Sequence, residues 1–232
     1  MVKDKIFLEK ISQFCLDKAK KFGATNCEVI VSNSISESVS FRNKKLDHSE
    51  RSDNLSIGLT TYIGKKRSNA SSSNTKEEEV TTLIERCVEM TKITPEDSHV
   101  SMPDKNYLAK EDLALNLFDE KHITTENKID FLKEMEEEAF KNDKITNSNG
   151  CSFSETKSNF VLANSLGFSK GYKSSMFSAG CAVVAESKGL METDYEYSTK
   201  RFSNRLLSSK EIGLSADRKS TRLNSSPAID LV

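Results

Sequence analysis

The sequence predicts an α+β fold, with helices packed on one face of a mostly antiparallel sheet. Apolar residues recur at helical spacing in three separate segments and alternate in several shorter ones. Those shorter runs follow one another in groups instead of alternating strictly with helices, as sequential antiparallel strands do. No repeat of solenoid length is visible.

The first helix spans Asp4–Phe22, where Leu8, Ile11, Cys15, Ala19 and Phe22 fall on one face. Gly23 can take the left-handed conformation that ends it. Three strand candidates follow: Cys27, Val29 and Val31; Val39 and Phe41; and Leu55, Ile57 and Leu59. Asn33-Ser34 is read as a hairpin turn, and the polar stretch Asn43–Asp53 as a link. A second helix is expected over Thr75–Thr91, capped by Asn74 or Thr75. Glu77–Glu79 suit the positive end of its dipole, and Val80, Leu83, Ile84, Cys87 and Val88 form its apolar stripe. Glu96–Ile123, with Pro103 and few apolar residues, is expected to be an irregular connection. A third helix spans Thr125–Lys141, with Ile129, Leu132, Met135 and Ala139 inward. The predicted strands then run Ile145–Phe153, Asn159–Asn164, Ser174–Ala185 and Asp194–Phe202, with turns or bulges at Gly150, Gly167, Gly171 and Gly189.

Composition narrows the function classes. The chain has 232 residues, is 36% hydrophobic and carries a net charge of −1. That balance argues against a broad nucleic-acid face, which needs a basic excess to displace counterions. Lys65-Lys66-Arg67 and Lys18, Lys20 and Lys21 read as solvated ends of elements. No stretch approaches the roughly 20 apolar residues that span a bilayer, and the N-terminus lacks a signal-peptide pattern, so a cytoplasmic protein is expected. Cys15, Cys27, Cys87, Cys151 and Cys181 are odd in number, widely spaced and at apolar positions, the pattern of reduced core cysteines.

Each candidate for chemistry has a structural reading beside it. His48, His99 and His122 lie in polar contexts, and none belongs to an H-E-x-x-H helix. Glu134 and Glu136–Glu138 are dense enough for acid–base work but read as a solvated helix face. The run Ser68–Asn74 has no nucleophile elbow or P-loop around it and suits turn formation and capping. Cys151 has no histidine nearby in sequence and reads as a small buried side chain. Tyr195 and Tyr197 share one strand face. They suit either a peptide groove or a packed pair on a sheet. No catalytic, cofactor-binding or metal-ligating residue is assigned in this chain.

The end of the chain stands apart. The codons GAT CGG AAG AGC ACA CGT CTG AAC TCC AGT encode the peptide of Asp217–Ser226, DRKSTRLNSS, and that DNA resembles a common sequencing-library adapter. Residues 217–232 are therefore read as adapter sequence and the native chain as ending near Ala216. The alternative is a short basic segment opening a helix after Ile212.

Several segments together carry a family resemblance: the opening "ITNSNGCSF" from Ile145, the "NSLGF" turn, the "CAVVAE" strand and the run "METDYEYSTKRF". In order and spacing they resemble the TldD/PmbA family of bacterial zinc peptidases. The "SNASSSN" junction at Ser68–Asn74 is similar to a basic-Gly-Ser/Ala-Ala-Ser-Ser-Thr-like stretch of its PmbA branch, also called TldE. This sequence departs from that stretch by placing Ser68 where glycine is usual. The resemblance runs from the first helix to about Ala216, and family members are about twice as long, so it implies an N-terminal half. Residues 1–216 would form one region, with a helix–sheet–helix part over 1–92 and a helix with antiparallel strands over 124–216. It further implies a TldD-type catalytic subunit as partner, zinc held by that partner and not by this chain, and unfolded peptides as substrates. Peptide maturation and antitoxin turnover are the implied roles. Two alternatives remain open: a catalytic TldD-type chain cut before its zinc motif, and an α+β interaction module with no peptidase partner.

Overall fold

The computed structural model describes residues 2–225. The helices are α1 (Lys5–Lys21), α2 (Glu77–Ile93), α3 (Thr125–Ala139) and α4 (Ser209–Ser225). The strands are β1 (Asn26–Arg42), β2 (Lys45–Ile63), β3 (Lys66–Ser72), β4 (Ile145–Asn164), β5 (Ser169–Lys170), β6 (Lys173–Ser187) and β7 (Leu190–Lys200). The strand order is β3-β2-β1-β4-β6-β7, with β5 beside β4. The β2–β3, β4–β5 and β6–β7 pairs are antiparallel. The expected α+β class of helices with a mostly antiparallel sheet is what the chain forms.

Two compact units divide the chain. The first comprises the chain up to Ile35, Asp53–Asn116 and Lys157–Ser174; the second comprises Ser36–Ser52, Leu117–Thr156 and the chain from Ser175 onward. Both are discontinuous in sequence, because β1, β2 and β4 each contribute to both.

In the first unit the Asp4 side chain accepts a hydrogen bond from the Phe7 N–H at 2.7 Å and so caps α1. Leu8, Cys15 and Ala19 of α1 and Val80, Ile84, Cys87 and Val88 of α2 cover Val29, Val31, Ile57, Leu59, Val161 and Ala163 of the sheet. Full burial of each larger aliphatic chain contributes about 1.5–3 kcal/mol. Thr61 on β2 and Thr91 on α2 share a 2.6 Å hydroxyl hydrogen bond inside this core.

In the second unit Thr124 caps α3 by accepting from the Asn127 N–H. Leu132, Met135 and Ala139 of α3 and Ile212 and Ala216 of α4 pack on Val39, Phe41, Phe153, Phe177, Ala179 and Val183. The two helices approach closely at Gly213, where an added Cβ would lie 2.3 Å from the Met135 carbonyl oxygen. Only glycine fits there.

Several expected boundaries are corrected. The break at Asn33-Ser34 is absent, and β1 runs straight through it. Asn33 is buried in the strand because its amide donates to Asp53 Oδ1 at 2.7 Å and to the Asn54 carbonyl, while its oxygen accepts from the Lys3 N–H. The expected link Asn43–Asp53 is a two-residue turn, Asn43-Lys44, followed at once by β2. Residues 45–51 of β2 are exposed and lack the alternation that marks a half-buried strand. Ser68–Ser72 belong to β3, paired with β2, so the serine run is strand before it is turn. The α2 cap is Lys76 with no side-chain hydrogen bond, while Asn74 Oδ1 receives the Lys76 N–H. The expected gap between Phe153 and Asn159 is continuous β4. Helix α4 has no counterpart in the expectations before Ile212.

Candidate functional site

The most unusual chemistry in the chain is buried charge in the second unit. The inward stripe of α3 is Lys128, Leu132, Met135 and Ala139, so helical spacing places a lysine among apolar residues. Lys128 is fully buried, and its Nζ lies 2.9 Å from Glu155 Oε2 on β4 and 3.1 Å from Glu37 Oε1 on β1. Glu37 also accepts from the Thr125 hydroxyl at 2.8 Å, and its other oxygen lies 3.3 Å from Arg51 Nη1. Burial raises the Glu37 pKa, but hydrogen bonds from Thr125 and Lys128 and the charges of Lys128 and Arg51 outweigh it. The net result lies below the usual carboxylate value. Two carboxylates and two cations make the cluster neutral. With its Nζ lying between two carboxylates, Lys128 ties α3 to β1 and β4. A lysine on an apolar stripe was the signal in the sequence that could have found it.

Glu136, expected on a solvated face, is buried and accepts from the Asn43 N–H at 2.9 Å and the Lys44 N–H at 2.8 Å. Both turn residues have positive φ, 50° and 62°, as a tight two-residue hairpin turn requires. A carboxylate from α3 thus holds a turn 92 residues away from it in sequence. Beside it lies a depression of about 520 Å³, walled by Phe41 and Phe140 and rimmed by Lys44, Lys133 and Glu137. Glu134 pairs with Ser209 and, at 3.3 Å, with Lys210; Glu138 pairs with Lys141 at 2.7 Å. These carboxylates tie elements together and do not converge on a shared site.

The remaining candidates disperse. His48 is exposed in strand β2, not in a loop, with Glu50 at 3.4 Å. His99 sits in an exposed turn and His122 in the exposed segment before α3. Among the described residues no three His, Cys, Asp or Glu side chains are grouped to hold a metal ion, so these side chains do not fit a zinc ion. Ser68 is buried and shares a 2.9 Å hydrogen bond with Thr94. Cys151 is buried on β4, and its hydrogen bond with Cys181 and its burial push its pKa up, which leaves little of the thiolate that nucleophilic attack needs. Tyr195 and Tyr197 stack at 6.0 Å between centroids on the open face of β7 and are 58% and 59% exposed. They pack on each other on the strand, as a pair on a sheet does, and face solvent. Among the described residues no helix is long and apolar enough to cross a membrane.

With this geometry, likeness to known proteins identifies the chain. Two models of one metallopeptidase family match it: the PmbA/TldA metallopeptidase domain 1 over residues 27–91 and the central domain over residues 118–224. The chain belongs to the PmbA/TldD family and is PmbA/TldE-like within it. It is 30% identical over 219 residues to a metalloprotease PmbA homolog of Haemophilus influenzae, covering 94% of this chain and 48% of that protein. It is 29% identical over 193 residues to metalloprotease PmbA of Escherichia coli O157:H7, covering 83% and 43%. The chain therefore spans about half the length of these relatives. Its fold matches a crystal structure of a putative modulator of DNA gyrase from Bacteroides thetaiotaomicron, with TM-score 0.86 and 23% identity over 92% of this chain and 49% of that one. It also matches TldE from Thermococcus kodakarensis, with TM-score 0.77 and 17% identity over 91% and 47%.

Proposed function

We propose that the chain is the N-terminal half of a PmbA/TldE-type subunit that works beside a metal-carrying TldD-type subunit on unfolded peptides. The observation that carries this reading is the match to PmbA proteins over nearly the whole chain. The fold shared with a TldE supports the same branch. The buried ionisable groups Lys128, Glu37, Glu155 and Glu136 support a scaffold role, since each bonds to another element. In this reading the zinc and the hydrolytic chemistry belong to the partner, and peptide maturation or antitoxin turnover is the outcome.

The uninterrupted gene tests the branch. A second half without a zinc-binding H-E-x-x-x-H helix fits the reading, and one that carries it makes the chain TldD-type instead. For residues 217–232 we retain the adapter reading because adapter DNA read in one frame would encode the ten residues Asp217–Ser226. Helix α4 nevertheless continues to Ser225 with Ser220 buried, and the central-domain match reaches residue 224. Resequencing the locus from genomic DNA decides it: the adapter reading requires a different sequence after Ala216.

A further inference from the structure

We propose that Cys151 and Cys181 form an oxidation site, closing to a cross-strand disulfide between β4 and β6 in the core of the second unit. Alternation places Cys151 and Phe153 of β4 inward, and likewise Phe177, Ala179, Cys181 and Val183 of β6. The two strands are neighbours in the sheet. The sulfur atoms lie 3.0 Å apart, closer than an ordinary non-bonded sulfur contact, and both residues are free thiols. Facing residues of neighbouring antiparallel strands have Cα atoms about 4.5–5.5 Å apart. That spacing lies inside the roughly 4.4–6.8 Å that a disulfide spans, and the sulfurs must close by only about 1 Å. Of the other thiols, Cys87 is engaged by the Thr61 hydroxyl and the Ser68 carbonyl, on other elements.

Hydrogen peroxide, an oxidant hardly larger than water, supplies the missing reactant. One cysteine sulfur, as thiolate, attacks the O–O bond and becomes a sulfenic acid, and the released hydroxide takes up a proton to become water. The second sulfur attacks the sulfenyl sulfur, the S–S bond forms, the S–O bond breaks, and the oxygen leaves as a second water with the second thiol's proton. Two thiols lose two electrons and two protons, and one peroxide becomes two waters. The hydrogen bond to Cys181 and burial push the Cys151 pKa up, so attack by that sulfur runs more slowly than at an exposed thiol.

The test uses the chain in two arms. In one, the folded chain is treated with hydrogen peroxide; in the other, unfolded chain is refolded in mixed reduced and oxidised glutathione. Remaining thiols are then blocked in denaturant, and unreduced digests are mapped by mass spectrometry. The expected result is a linked Cys151–Cys181 peptide, lighter by two hydrogens, in both arms, with Cys15, Cys27 and Cys87 blocked as thiols. Cys151→Ser and Cys181→Ser should each abolish the linked peptide and leave the partner blocked. Absence of the link in both arms overturns the proposal, as does preferential pairing of either cysteine elsewhere. A link in the refolding arm alone also overturns it, because the folded chain would then not be the species oxidised.

Discussion

The two compact units solve the same packing problem with different cores. Both lay two helices on sheet, but the first core is built of aliphatic side chains and cysteines, whereas the second adds Phe41, Phe153, Phe177 and Met135. In the first unit the buried polar side chains are neutral: Ser12, Asn33, Thr61, Ser68, Thr91, Asn159 and Asn164. In the second unit the ionisable side chains of Lys128, Glu37, Glu155, Glu136 and Asp217 are buried. A neutral group needs only a hydrogen bond to be tolerated inside, whereas a charge needs a counter-charge in a fixed place. The second unit is therefore more sharply specified and more vulnerable to single substitutions.

The largest expected effect comes from removing one member of the buried cluster. Lys128→Met removes the buried cation that Glu37 and Glu155 share and should cost about 3–5 kcal/mol in urea unfolding. Combining it with Glu37→Leu and Glu155→Leu should recover most of that loss. In the first unit Asn33→Leu should cost less, about 1–3 kcal/mol, since it orphans only the groups bonded to a neutral amide. Equal losses for Lys128→Met and Asn33→Leu would erase the contrast between the units.

Next in size is Gly213→Ala, which drives a Cβ to 2.3 Å from the Met135 carbonyl. It should destabilise the second unit by about 1–3 kcal/mol in the same measurement, and an unchanged midpoint would show that α3 and α4 part easily.

The smallest effect is in pH. The folded pKa of Glu37 lies below its ordinary value of 4.5, so its contribution is present above pH 4.5 and is lost as pH falls through the lower folded value. Cys15, by contrast, is raised from 9.0 to about 12 by burial, so its contribution is full below pH 9.0 and is lost as pH rises towards 12. Amide exchange followed against pH should show acid loosening the second unit around Glu37 and alkali loosening the first around Cys15. Acid loosening that begins around Cys15 would reverse this assignment.

The sequence made α1, α2 and α3 legible because their apolar stripes are regular: Leu8, Cys15 and Ala19, then Val80, Ile84, Cys87 and Val88, then Leu132, Met135 and Ala139 lie inward. The strands were legible only where they alternate. Exposed residues 45–51 of β2 hid a strand, and so did the Ser68–Ser72 run, because nothing is buried on one face at these places except Ser68. Glu136 was misread because its partners are backbone N–H groups of a turn far away in sequence, and no local pattern records that. Lys128 left a trace, a charge on an apolar stripe, but its partners Glu37 and Glu155 come from strands whose extent the sequence obscured. The family resemblance survived these errors because it rests on the order of motifs and not on element boundaries.

The central claim is that this PmbA/TldE-like chain shapes a peptidase whose metal chemistry belongs to a TldD-type partner. The most direct measurement is to purify the full-length product of the uninterrupted gene alone and together with a TldD-type protein, and to assay unfolded-peptide hydrolysis with zinc and with a chelator. The account predicts co-elution of the two proteins and chelator-sensitive hydrolysis only when both are present. Zinc-dependent hydrolysis by the PmbA/TldE-like protein alone, or failure of the two proteins to associate, would contradict it.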